Sequence, residues 1–184
     1  MRYINSDKEI KETIKRIVRY SDPNPNKETI FIRPEGIFAG IYLEDLKKFS
    51  NIFNKSFSKK HFLIFGINTQ DNSSNEFYNS LIVSNNNLEI LYRYNKKKLV
   101  PFGEFIPFND FFEKFGLKKI TQGYGSFSKG NKQKNFILNE LNILPLICYE
   151  IIFPKLTQFS DKKTNMIVNI SEDAWFGNSI GPHQ

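Results

Sequence analysis

A chain of 184 residues and 21.6 kDa has room for one well-cored domain or part of a larger one, and not for two. With 40% hydrophobic and 24% charged residues it is neither a disordered tail nor a membrane bundle, and its apolar runs Phe62–Ile67 and Leu141–Pro154 fall short of the ~18 apolar residues of a bilayer span. The net charge of +7 rests on 21 Lys against 5 Arg, beside 21 Asn, 23 Ile and 2 Ala, the mark of AT-rich codons, and with so little Arg for bidentate contacts no nucleic-acid partner is expected.

Met1–Ser6 passes straight into charged residues without the apolar core of a signal peptide, so no export signal is expected. Ser6-Asp7-Lys8-Glu9 has the form of a capping box, and Ile10, Ile14, Ile17 and Val18 follow at helical spacing, which predicts an amphipathic helix to about Arg19. After a loop at Pro23 and Pro25, Thr29–Arg33 reads as a strand that ends at Pro34-Glu35-Gly36 and puts Glu35 on a turn. Leu43, Leu46, Phe49, Ile52 and Phe53 predict a second amphipathic helix, and Phe62–Ile67 a second buried strand. Phe77–Ser84 and Leu88–Tyr94, joined by Asn85-Asn86-Asn87, predict an antiparallel hairpin. The expected class is therefore α/β with a mixed sheet.

Two prolines and a glycine make Leu99–Phe108 an ordered apolar loop, and Asn109 is placed to cap a short helix through Phe115. Gln122–Lys134 is polar and reads as a mobile surface loop. Phe136–Leu138 and Leu141–Ile147 form a second hairpin-like pair, and Asn165–Ser171 reads as one more buried strand.

Glu35, Lys96 and Cys148 each follow a predicted strand, where α/β folds place their sites. A thiol becomes a useful nucleophile when a nearby base or cation promotes the thiolate, and a carboxylate with an ammonium supplies proton removal and oxyanion stabilisation. Singly, each residue has a plain reading: Cys148 as a core residue beside Ile147, Lys96 as one of three solvated lysines, Glu35 as a turn carboxylate. Because Cys148 is the single cysteine, an internal disulfide and a multi-cysteine metal cluster are excluded.

Four blocks occur in order: Pro34-Glu35-Gly36, then Tyr94 to Glu104 with its Leu99-Val100-Pro101-Phe102-Gly103-Glu104, then Leu146-Ile147-Cys148-Tyr149-Glu150, then Asn169 to Gln184 with Gly181-Pro182-His183-Gln184. Together they resemble the apolipoprotein N-acyltransferase family, the membrane-bound branch of the nitrilase (carbon–nitrogen hydrolase) superfamily, from about Thr29 to the end of the chain. The resemblance implies an α-β-β-α sandwich with Glu35 as general base, Lys96 as the cation of the oxyanion site and Cys148 as the acyl-accepting nucleophile. It makes Glu104, Tyr149 and Glu150 supporting residues, with Glu104 orienting the lysine or the base, the Tyr149 N–H completing the oxyanion hole and Glu150 fixing the turn. Trp175 and Phe176 are then pocket walls, or core filler. Phe102 and Phe105 begin a phenylalanine series through Phe108, Phe111, Phe112 and Phe115 that reads either as a core-facing stripe or as an apolar mouth for acyl chains.

The implied reaction moves an acyl chain from a phospholipid to the Cys148 thiol and then to the N-terminal amine of a diacylglyceryl-cysteine apolipoprotein, at the periplasmic side of a bacterial inner membrane, with no metal or organic cofactor. Arg33 stands where the family usually has a tryptophan. Family members also carry membrane helices, a strand before the first helix and elements after the last block that are not in this sequence. The expectation is thus a partial catalytic domain over residues 1–184, incomplete at both ends, unstable and inactive alone. The rival readings are a soluble nitrilase or amidase acting on a small C–N substrate, and an inactive fragment.

Overall fold

The computed structural model describes residues 4, 6–101, 103–105, 126–131, 133–158 and 162–172. Helix α1 (Asp7–Ser21) starts where Ser6 Oγ accepts the Glu9 N–H and ends at Asp22, whose left-handed backbone lets its N–H close on Val18 O. Its stripe of Ile10, Ile14 and Ile17 is buried, as the spacing predicts. Strand β1 (Thr29–Ile32) pairs in parallel with β2 (His61–Asp71), and β2 pairs antiparallel with β3 (Glu76–Ser84), which pairs antiparallel with β4 (Ile90–Asn95). A second sheet has β5 (Phe136–Leu138) antiparallel to β6 (Leu141–Ile147), and β6 parallel to β7 (Met166–Ile170).

The alternation of side chains along β2 explains the layering. Leu63, Phe65 and Ile67 face one way and join Ile14, Leu46, Phe53 and Phe57 in a core between the helices and the first sheet. Ile64 faces the other way and, with Leu81, Val83 and Tyr94, meets Ile143, Ile147, Val168 and Ile170 of the second sheet. A strand covered on both faces must be apolar throughout, which is why Phe62–Ile67 reads as a continuous run rather than an alternating one. The described residues thus stack as helix, sheet, sheet. The second sheet turns Ile137 outward with 76% of its surface exposed.

Three local expectations change. The second amphipathic helix is two, α2 (Leu43–Lys47) and α3 (Ser50–Ser56), because Lys48 and Phe49 donate to carbonyls three residues back and tighten the chain between them, which keeps Leu46, Phe49 and Phe53 all buried. Leu88 does not begin β4. It adopts φ 59° in a turn whose Asn85 Oδ1 accepts the N–H groups of Asn87 and Glu89. Such a backbone costs ~1–3 kcal/mol, and burying the Leu88 side chain against the helix-side core, worth about 1.5–3 kcal/mol, offsets it.

The third change concerns the polar stretch read as a mobile loop. Its residues 126–131 are fastened to the first sheet: Phe127 N–H donates to Glu104 O, Ser128 N–H to Phe77 O and Gly130 N–H to Lys96 O. A Cβ on Gly130 would stand 2.0 Å from Asn95 O, so a glycine is what permits this approach. The sequence looked like a surface loop because its polar side chains carry no periodicity; it is the backbone that docks. The expected helix from Asn109 to Phe115 lies outside the described residues.

Candidate active site

Three chain segments deliver the expected trio. Glu35 lies on the turn after β1, held low against the sheet because β2 passes beneath it at Gly66. A Cβ there would come within 2.3 Å of Glu35 O, so only glycine admits the crossing. Lys96 is the residue after β4, and its N–H donates to Asn79 O across the hairpin. Cys148 is the residue after β6, at φ 56°, so the chain turns sharply off the strand end into a 3-10 turn over Cys148–Ile152.

The side chains form a closed cluster. Lys96, 1% exposed, donates through Nζ to Glu35 Oε1 at 2.9 Å and to Glu104 Oε1 at 3.1 Å. Burial alone would lower the Lys96 ammonium, but the charges of Glu35 and Glu104 outweigh it and raise it well above the usual lysine value, so Lys96 stays a cation. Glu104 Oε2 accepts the Val100 N–H at 2.8 Å, tying the carboxylate to its own loop. Asn79, at the middle of β3, donates through Nδ2 to Glu35 Oε1 at 2.6 Å and to Glu104 Oε1 at 2.7 Å.

Cys148 is half-buried. Burial pushes its thiol up, and the Glu35 charge adds to this, while Lys96 and hydrogen bonds from Ser171 and the Tyr149 N–H pull it back without reversing the shift. An upward shift favours the thiol, so a thiolate at this position would need a base to form. The Tyr149 hydroxyl donates to Leu99 O at 2.8 Å, and Lys96 Nζ lies 5.8 Å from the Tyr149 ring centroid. The Cys148 carbonyl accepts from Asn169 Nδ2 at 3.0 Å, linking the turn to β7.

Glu150, fully buried, organises the turn. Its Oε1 accepts Lys97 N–H at 2.7 Å and Lys98 N–H at 2.9 Å, its Oε2 accepts Ile147 N–H at 2.9 Å, and the Tyr94 hydroxyl reaches both oxygens. Burial, and after it the Glu150 charge, push the Tyr94 hydroxyl far above the usual tyrosine value. One carboxylate thereby joins the strand end carrying Cys148 to the strand end carrying Lys96, across the two sheets.

The structure therefore brings Glu35, Lys96, Glu104, Cys148, Tyr149 and Glu150 together. Phe105 is half-buried beside Glu104, with Lys129 Nζ 5.4 Å from its ring centroid. Phe102, Trp175 and Phe176 lie outside the described residues, as do Phe108, Phe111, Phe112 and Phe115. Arg33 turns away from the cluster: its guanidinium donates to Ser21 Oγ and lies 5.9 Å from the Phe31 ring centroid. Sequence reasoning missed Asn79 and Gly66. Each had a signal, a polar residue inside an apolar strand and a glycine inside an apolar run.

The Carbon-nitrogen hydrolase family matches residues 39–184. Among curated proteins the chain is similar to "Apolipoprotein N-acyltransferase" from Rhizobium leguminosarum bv. trifolii, 41% identical over 109 residues, which are 59% of this chain and 20% of that protein. It is 38% identical to the protein of the same name from Rickettsia typhi over 110 residues, 59% of this chain and 22% of that one. The matched part of the chain thus spans about a fifth of the length of these relatives. Among solved structures, an amidase from Nesterenkonia sp. AN1 superposes with a TM-score of 0.60 at 12% identity, covering 97% of this chain and 68% of the amidase. Nit3 of Saccharomyces cerevisiae, a member of branch 10 of the nitrilase superfamily, gives 0.58 at 18% identity over 88% of this chain and 59% of Nit3. At such identities the superpositions establish the fold, the nitrilase-type α-β-β-α sandwich. Together with the family match over most of the sequence, they make this chain a member of the carbon-nitrogen hydrolase family.

Proposed function

We propose that the chain is the catalytic part of an N-acyltransferase that transfers an acyl chain from a phospholipid, through a thioester on Cys148, to the N-terminal amine of a diacylglyceryl-cysteine apolipoprotein. The observation that carries this reading is the Glu35–Lys96–Glu104 cluster, gathered around a nearly buried Lys96 in the same site as Cys148, on a chain of which 109 residues are 41% identical to a protein of that name.

Glu35 takes the Cys148 proton as Sγ attacks the ester carbonyl of the phospholipid. The carbonyl oxygen becomes an oxyanion, stabilised by the Lys96 ammonium and the Tyr149 N–H. Collapse of the tetrahedral intermediate breaks the ester C–O bond, and Glu35 returns its proton to the departing lysophospholipid oxygen. The acceptor amine then attacks the thioester and gives up a proton to Glu35, and the C–S bond breaks to release the amide and restore the thiol. Glu104 and Glu150 do no chemistry in this scheme: the first orients Lys96, the second the Cys148 turn. Work on such substrates places the domain at a membrane, on the periplasmic side of the inner membrane, although no helix among the described residues is long and apolar enough to cross one.

Incubating the protein with phospholipid in detergent micelles and mapping Cys148 by mass spectrometry tests the reading. The expected result is a hydroxylamine-sensitive acyl adduct on Cys148 that disappears when a diacylglyceryl peptide is added. Turnover with Cys148 unmodified would overturn it, and hydrolysis of small amides with no acyl adduct would favour an amidase.

A further inference from the structure

The two carboxylates of the cluster are bridged twice, once by Lys96 and once by the neutral amide of Asn79. Asn79 Nδ2 donates to the same two oxygens that Lys96 Nζ holds, Oε1 of Glu35 and Oε1 of Glu104. An amide nitrogen carries two N–H groups, and both are used here. Turned over, the amide would aim its carbonyl oxygen at two carboxylates, so charge dictates its orientation. Asn79 is itself buried, and its backbone carbonyl accepts the Lys96 backbone N–H, which sets the two residues side by side across the hairpin.

This arrangement treats the two oxygens of Glu35 differently. Oε1 has two donors, and among the described residues no donor bonds Oε2. A carboxylate pinned through one oxygen to two donors cannot rotate without losing both. We infer that Asn79 is a positioning residue that, with Lys96, immobilises Oε1 of Glu35 and so reserves Oε2 as the oxygen that takes the Cys148 proton. The inference rests on the reading of Glu35 as base and Cys148 as nucleophile. Its chemical logic is that a second cation at position 79 would weaken the base, whereas a neutral amide orients Glu35 without neutralising it.

The test follows alkylation of Cys148 by iodoacetamide from neutral to alkaline pH, read by mass spectrometry, in Asn79→Ala, Asn79→Ser and Asn79→Asp, each also placed on Glu35→Gln. Melting curves accompany every variant, and the serine variant, which keeps one donor, stands in for any that does not fold. Asn79→Ala is expected to slow alkylation at neutral pH roughly tenfold, the loss of a hydrogen bond to a charged group. Asn79→Asp is expected to slow it further and to displace the profile to higher pH, because a third carboxylate disfavours the thiolate; Asn79→Ser should fall between wild type and Asn79→Ala. On Glu35→Gln the alanine change should add nothing. An unchanged profile in Asn79→Ala, or an equal slowing with and without Glu35, would overturn the assignment and reduce Asn79 to a packing role. The probe needs no acyl substrate, so a protein with the expected profiles that forms no acyl thioester would contradict the proposed reaction while upholding the role of Asn79.

Discussion

Glu150 and Glu35 belong to one cluster, and their oxygens are occupied in opposite ways. Glu150 is filled: three backbone N–H groups and the Tyr94 hydroxyl occupy both of its oxygens, and all of these donors are neutral. Glu35 is half filled, with a cation and an amide on one oxygen. A carboxylate saturated by fixed donors is a rivet, since every partner is lost if it moves or is removed. One with an oxygen to spare can accept a proton. The same side-chain type thus fixes one turn and, in the proposed reaction, serves as the base in the other, and what separates them is the count and charge of their donors.

If this contrast holds, substitutions on the two sides should affect different observables. The largest effect is expected from Glu150→Ala, which strands three backbone donors and the Tyr94 hydroxyl in the interior: about 3–5 kcal/mol of stability should be lost, seen as a depressed melting temperature. Glu35→Gln should do the reverse, abolishing thioester formation while the melt moves little. Loss of activity with an intact melt in Glu150→Ala would collapse the distinction.

Lys96→Met comes next. It removes the cation between two carboxylates, and acyl transfer should fall on the order of a hundredfold or more, equivalent to about 2.7 kcal/mol. Lys97→Met, by contrast, should stay near wild type, because the backbone N–H of Lys97, and not its ammonium, serves Glu150. Parallel rate assays of the two variants check this, and equal losses would show that the lysine at 96 has no special place.

Gly66→Ala probes the floor of the Glu35 turn. With a Cβ driven to 2.3 Å from Glu35 O the turn must lift, costing about 1–3 kcal/mol and displacing the carboxylate. The expected signature is a lower melting temperature together with a slower rate, a combination that Glu35→Gln does not produce.

The smallest effect sharpens the Glu150 side. Tyr94 has its hydroxyl pushed up by burial and by Glu150, so the folded state holds that proton more tightly than the unfolded chain does. Its contribution is therefore complete below the ordinary tyrosine value of about 10 and is lost as pH rises beyond it. Lys96 and Cys148 are shifted up as well and act in the same direction. Denaturant titrations should show stability falling above about pH 9–10, and Tyr94→Phe should flatten that fall while costing ~1 kcal/mol at neutral pH.

Much of this was legible in the sequence, for reasons that can be named. The side-chain cap at Ser6, the stripe of α1 and the strands of both sheets follow from local rules of spacing and turn chemistry, and all are present. Glu35, Lys96 and Cys148 could be singled out as candidates because each follows a predicted strand and stands in a motif block that resembles the family's, whereas position alone left each with a plain reading. Local rules could not say that residues 126–131 dock, because the partners of their backbone are Phe77, Lys96 and Glu104, distant in sequence. Nor could they tell that α2 and α3 would separate, since the stripe of Leu43, Leu46, Phe49 and Phe53 is apolar in either form. The sequence by itself determined the α/β class, the family and the candidate trio, because apolar periodicity and short motifs are properties of neighbours along the chain. Tertiary structure alone decided that Asn79 bridges two carboxylates, that Gly66 makes room for Glu35 and that Glu150 is saturated, because the number of donors around a buried carboxylate is set by strands that meet only when the two sheets have packed.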